Sequence, residues 1–180
     1  MESEQQLLNA IKAGDRSAMK RLYQRYLGYA IAVGSRYIPD SDDVEDVVQD
    51  SFVKILTSVK HIEYHGEGSL SAWVSKVVAS KAIDFVRKHE RITFVSGVPD
   101  TPDEDEPDME LIPPDVLADM ISQLPSGYRF VLNLYVFEHC SHKEIARRLG
   151  IREKSSASQL TRARQLLEKM MKEYLKRQRI

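Results

Sequence analysis

At 180 residues and 42% hydrophobic side chains, the chain is long enough for one domain or two small ones, each with its own core. No apolar run approaches the roughly 18 residues of a membrane span, and the N-terminal MESEQQ lacks the basic-then-apolar order of an export signal. A cytoplasmic protein without membrane insertion is expected. The lone Cys140 cannot form an internal disulfide and is expected to be a small core residue.

The net charge of -1 conceals a partition. Residues 1–91 carry 13 basic and 13 acidic side chains, residues 92–115 carry no basic and 8 acidic ones, and residues 116–180 carry 13 basic and 6 acidic ones. A basic final third suits a polyanion partner, and an acidic segment before it suits a solvated linker that discourages nonspecific phosphate contact.

Asp15 to Tyr37 carries Ala18, Leu22, Tyr26, Tyr29 and Val33 on one stripe, which predicts a helix ending before Pro39. Ser41 is expected to cap a second helix with the stripe Val44, Val47, Val48, Phe52, Ile55 and Val59. A third begins near Ser69 and carries Leu70, Trp73, Val77, Val78, Phe85 and Val86 toward Arg91. Trp73 shares the apolar stripe and is expected in the core. No segment alternates with a period of two between hairpin turns, so the N-terminal domain is expected to be all-helical.

The segment VSGVPDTPDEDEPDMELIPPD combines prolines, a glycine and carboxylates, cannot bury apolar area, and is expected to be mobile. Amphipathic helices are expected over Asp115–Gln123 and Tyr128–Glu138, separated by LPSGY. In SHKEIARRLGIREKSSASQLTRARQLLEKM, Ser141 and Glu144 form a capping box and Gly150 stands where a left-handed C-cap is wanted. A short helix, a glycine turn and a longer helix are the marks of a helix-turn-helix. Along the second helix, Ser156, Leu160, Ala163, Leu167 and Met170 are expected inward, with Ala157, Ser158, Thr161, Arg162 and Gln165 on another face. Small polar residues at its start permit close entry into a major groove, where Ser158, Gln159 and Arg162 can meet base edges or phosphates. The alternative is that the serines cap a solvated helix and the arginines solubilise it.

The expected fold is therefore all-α: two small helical domains, 1–91 and 116–180, joined by the acidic flexible linker 92–115, with the helix-turn-helix in the second. Two signatures resemble the extracytoplasmic-function (ECF) sigma factors of bacterial RNA polymerase. DSDDVEDVVQDSFVKIL followed by GSLSAWVSKVVASKAIDFVRK is similar to the family's N-terminal signature, and LPSGYRFVLNLYVFEHCSHKEIARRLGI closed by RAR to its C-terminal one.

The resemblance implies a subunit that binds core RNA polymerase and directs initiation at promoter DNA through the minus-35 and minus-10 elements. It implies polymerase docking through Asp46, Val47, Gln49, Asp50 and Val53. A loop from Tyr64 to Ser69 would pocket an extruded base of the minus-10 element, with Lys76, Ser80, Lys81, Arg87 and Lys88 following the single strand. Minus-35 contacts would come from Lys154, Ser155, Ser158, Gln159, Thr161, Arg162 and Arg164. An anti-sigma factor is implied as a further partner. Departures from the family pattern are Ala79-Ser80 in place of Arg-Asn, Ser156 in place of valine, and Ala157 and Gln159 in place of basic residues.

Two other classes compete. No Glu-x-x-His pair, Walker, nucleophile-elbow or zinc-finger spacing appears and the five histidines are scattered, so no catalytic residue, metal or cofactor is expected. A dimeric ligand-sensing regulator would want sustained heptads or a pocket-forming region, neither of which is evident. An RNA-binding antiterminator or a polymerase decoy keeps the fold and reverses the effect.

Overall fold

The computed structural model describes residues 2–89 and 111–178, and every described regular element is helical. The chain divides into two compact units at Glu90/Arg91. None of the described helices is long and apolar enough to cross a membrane.

The first unit holds α1 (Glu4–Lys12), α2 (Arg16–Ser35), α3 (Ser41–Ser58), a single 3₁₀ turn (Val59–His61) and α4 (Ser69–His89). Helices α2, α3 and α4 pack pairwise against one another, and α1 lies on α2 and on the 3₁₀ turn. The expected α3 stripe is buried throughout, from Val44 to Val59. Gly34 lets α2 approach it: a Cβ there would lie 3.1 Å from Val44 Cγ1 and 3.6 Å from Val48 Cγ2. The cap of α3 differs from expectation. Asp40, one residue earlier than Ser41, accepts the amides of Asp42 at 3.0 Å and Asp43 at 3.1 Å, because its carboxylate can satisfy two orphan donors at once.

Two aromatic assignments also change. Tyr29 is 38% exposed, because Tyr26, Ala30 and Val33 occupy the inner face of α2. Trp73 is only half-buried: Leu70, Val74, Val77 and Val78 fill the core, and Trp73 stands at the margin of their stripe. Helix α1 was not expected, although Ser3 and Gln6 form a reciprocal capping box and Leu7, Leu8 and Ile11 are almost wholly buried.

The second unit holds α5 (Pro114–Ser122), α6 (Ser126–Val136), α7 (His142–Leu149) and α8 (Glu153–Gln178). Helix α8 packs on α5, α6 and α7. The capping box at Ser141 is formed, with Glu144 accepting the Ser141 amide at 2.8 Å. Gly150 adopts φ 66°, ψ 34°, the left-handed cap that a Cβ disfavours. Cys140 is buried. Ile112 lies within the expected linker, yet is buried in a cluster with Met120 and Met171, against which Leu167 and Met170 pack. Helix α5 also begins inside the expected linker, at Pro114, whereas linker residues 92–110, with Glu90 and Arg91, fall outside the described residues.

Candidate nucleic-acid and partner interfaces

Helix α3 buries one face and leaves the other in solvent, and the residues expected to meet a polymerase divide accordingly. Asp46, Gln49 and Asp50 are exposed, and Val53 beside them is 66% exposed. Val47 is 4% exposed and belongs to the core, one helical turn from Val44, so its contribution is to hold the face rather than to touch a partner. The acidic first turn of α3 is explained by the helix dipole, but Asp50 lies in the third turn, beyond its reach.

Between α3 and α4 lies an open cleft of about 440 Å³. Helix α3 lines it with Asp46, Val47, Gln49 and Asp50, and α4 with Lys81, Asp84, Phe85, Lys88 and His89. The Phe85 and His89 rings stack with centroids 4.2 Å apart. Two lysines expected on the single strand, Lys81 and Lys88, therefore share a cleft with the carboxylates expected on the polymerase. At roughly 100° per residue, Lys76, Ser80 and Arg87 fall within about 40° of one another on a different stripe of α4, together with Trp73. Lys76, Ser80, Arg87 and Lys88 are exposed and Lys81 is half-buried.

The loop before α4 is held from a distance. Glu4 is 3% exposed and its two carboxylate oxygens accept the amides of Gly68 at 2.9 Å, Leu70 at 3.0 Å and Ser71 at 3.1 Å, and the Tyr26 hydroxyl at 2.7 Å. A side chain of α1 thus caps α4. Burial alone raises the Glu4 pKa, but the Tyr26 hydroxyl and the three amides outweigh it and leave it below the ordinary carboxylate value. For Tyr26, burial and then the Glu4 carboxylate both push the hydroxyl upward, which keeps it a donor. At the other end of the loop, Lys12 Nζ donates to the Ile62 carbonyl at 2.7 Å. Tyr64 is half-buried and its hydroxyl donates to Glu67 at 3.2 Å; Glu67 lies 3.7 Å from Arg25. Neither Glu4 nor Lys12 was expected in a site, since nothing local in the sequence links them to residues fifty or more positions away.

In the second unit the helix-turn-helix presents the start of α8. Lys154, Ser158, Thr161 and Arg164 are exposed, and Ser155 and Arg162 are half-buried. Ser158 and Thr161 hydroxyls donate back to the carbonyls of Lys154 at 3.0 Å and Ala157 at 3.2 Å, which leaves their oxygen lone pairs as acceptors. The Arg164 guanidinium lies 5.7 Å from the Tyr135 ring centroid, and His142 stacks on the same ring at 5.0 Å. Gln159 departs from the expected outward role. It is 6% exposed beside Leu160 and Ala163, and its Oε1 has no hydrogen-bond partner among the described residues. The helical wheel explains this, since Gln159 lies about 40° from Ala163 at roughly 100° per residue. Exposed Lys143, Arg147 and Arg152 flank the turn and were not singled out from sequence.

Comparisons with known proteins agree with this geometry. Residues 22–92 match the family model Sigma-70 region 2, and residues 115–167 match Sigma-70, region 4. The chain is 28% identical over 151 residues to the ECF RNA polymerase sigma factor SigM of Bacillus subtilis, covering 82% of this chain and 91% of SigM. It is 23% identical to the RNA polymerase sigma-H factor of Pseudomonas aeruginosa over 97% of both chains. Among solved structures, CnrH in complex with the cytosolic domain of CnrY aligns with TM-score 0.50 and 25% identity, over 92% of this chain and 95% of CnrH. The sigma factor RpoE of Bartonella quintana, solved with the anti-sigma factor NepR, shares the fold at TM-score 0.54 and 20% identity, over 85% and 96% of the two chains. With regions 2 and 4 matched in order on two helical units, the chain belongs to the ECF sigma factor family.

Proposed function

We propose that this chain is a dissociable initiation subunit whose first unit docks on core RNA polymerase and opens promoter DNA, while its second unit reads the minus-35 element. The observation that carries the reading is the sorting of exposed groups by helix. Acidic and amide groups with Val53 predominate on the outer face of α3, which also carries Lys54, and basic groups predominate on α4, beside Asp84, and at the start of α8 after Glu153.

Asp46, Gln49, Asp50 and Val53 are the polymerase contacts, with Val47 supporting them from the core. Carboxylates around an exposed valine suit a basic partner surface with an apolar centre. Lys76, Ser80 and Arg87, with the half-buried Trp73 ring, form the track for the melted strand, where backbone charge and stacking offset the cost of unpairing. Lys81 and Lys88 stand where that track meets the polymerase cleft. Tyr64 belongs to the loop that takes up the extruded base. On α8, Lys154, Ser155, Ser158, Thr161, Arg162 and Arg164 meet the major groove; Gln159 shapes the helix seat rather than the groove face.

In this reading the chain makes and breaks no bond itself and needs no metal or cofactor, since the polymerase performs the chemistry. It acts in the cytoplasm, with the acidic linker along positively charged polymerase channels. An anti-sigma protein is the natural further partner; the Bartonella quintana sigma factor RpoE was solved in complex with one.

The reading is tested by mixing the purified chain with bacterial core polymerase and resolving the mixture by size. A stoichiometric complex that protects a duplex promoter at two spaced elements supports it. Footprints made by the chain alone, as a dimer without core, favour an independent helix-turn-helix regulator instead.

A further inference from the structure

The segment between the 3₁₀ turn and α4 is irregular, with Gly66 at φ 115° and Gly68 at φ 90°, conformations in which the backbone does not fix its own path. Its shape is fixed from outside. Lys12, the last residue of α1, holds the Ile62 carbonyl at 2.7 Å, and Glu4, the first residue of the same helix, holds the amides of Gly68, Leu70 and Ser71. A third tie runs from the N-terminal segment through Arg25, whose guanidinium donates to the Glu2 carbonyl at 2.9 Å and lies 3.7 Å from Glu67. One nine-residue helix therefore grips both ends of the loop, and residues 63–66 lie between its grips and the Arg25 tie.

The two grips differ in kind. Lys12 is exposed, so its bond to Ile62 adds little to stability, yet it selects one position of the carbonyl. Glu4 is buried and its four bonds exhaust the acceptor directions of a carboxylate. A buried carboxylate on a remote helix is an expensive cap for α4, since a local Ser or Asp would serve. What a local cap would not supply is a fixed distance between the ends of the loop.

We propose that Glu4 and Lys12 are positioning residues for promoter recognition: helix α1 clasps the Ile62–Ser71 segment at both ends and thereby sets the discrimination among bases of the downstream element. This rests on the assignment of the Tyr64–Ser69 loop to that element. The clasp touches no DNA. It acts by holding the loop groups that do, as outer ligands hold a binding constellation in register.

The test uses the full-length chain assembled with core polymerase. Single-stranded oligonucleotides carry the downstream element of a promoter defined by mapped start sites, either matched or with one base changed. Binding is compared for the native chain, Glu4→Gln, Glu4→Ala and Lys12→Met. A purely structural role lowers the folded fraction and weakens matched and mismatched binding equally, leaving their ratio unchanged. The clasp predicts core affinity within about twofold of native and a matched-to-mismatched ratio reduced at least about fivefold in Glu4→Gln, with a smaller reduction in Lys12→Met. Ratios equal to native in both variants overturn the proposal. If Glu4→Ala loses helix content, Glu4→Gln and the exposed Lys12→Met still decide the matter. A native holoenzyme that binds none of the oligonucleotides overturns the loop assignment itself, and the clasp with it.

Discussion

The Glu4 carboxylate and the Leu70 amide, 66 positions apart in sequence, meet at 3.0 Å inside the first unit, and the same carboxylate accepts the Tyr26 hydroxyl at 2.7 Å. A single buried charge thus ties α1, α2 and the start of α4 together. Removing it leaves three amides and a hydroxyl without their partner, so Glu4→Ala is expected to cost about 2–4 kcal/mol. The only tryptophan, Trp73, lies in this unit, and its fluorescence reports the transition without interference from the second unit.

The Glu4 network also gives a pH dependence with a defined sign. Its folded-state pKa lies below the unfolded value of about 4.5, so the stabilisation is complete above that pH and is lost as pH falls through the folded value. The stability difference between native protein and Glu4→Gln, followed by Trp73 fluorescence, should be constant from neutral pH to about 5 and shrink below it. A difference that grows on acidification contradicts this assignment.

Asp50→Lys places a cation on the exposed outer face of α3, where no core contact is disturbed. Affinity for core polymerase is expected to fall at least about tenfold, with the Trp73 unfolding transition unmoved. Retained core affinity removes Asp50 from the docking face.

Much of this architecture was legible in the sequence, and the misses have physical causes. The α3 stripe, the Ser141 capping box and the Gly150 cap are local patterns, and all three appear as expected. Asp40 displaced Ser41 as a cap because two adjacent polar residues compete for the same amides and the carboxylate satisfies both. A large aromatic at the edge of a stripe, such as Trp73 or Tyr29, resembles a member of it, yet neighbouring Val74 and Ala30 fill those positions. The Glu4 cap could not be inferred, since a glutamate in the first turn of a helix is ordinarily a solvated dipole partner.

Gln159 offers a different check. It is buried and its Oε1 meets no hydrogen-bond donor among the described residues, so Gln159→Met removes that polar atom at nearly constant volume. The second unit is expected to gain about 1 kcal/mol, seen in its circular dichroism transition, with promoter binding unchanged. A loss of promoter binding in a folded variant would return Gln159 to the groove.

Arg162→Ala removes a cation from the start of α8. If Arg162 meets a phosphate, promoter affinity of the holoenzyme falls and its log-log salt dependence flattens by about 0.9. Core binding should not change.

The most direct test of the account maps transcript starts. Core polymerase is supplied with a genomic promoter library, with and without the purified chain, and the 5′ ends are sequenced. Discrete starts are expected that appear only when the chain is added and share two spaced upstream elements. Core binding without any defined start would contradict this and make the chain a polymerase decoy or inhibitor.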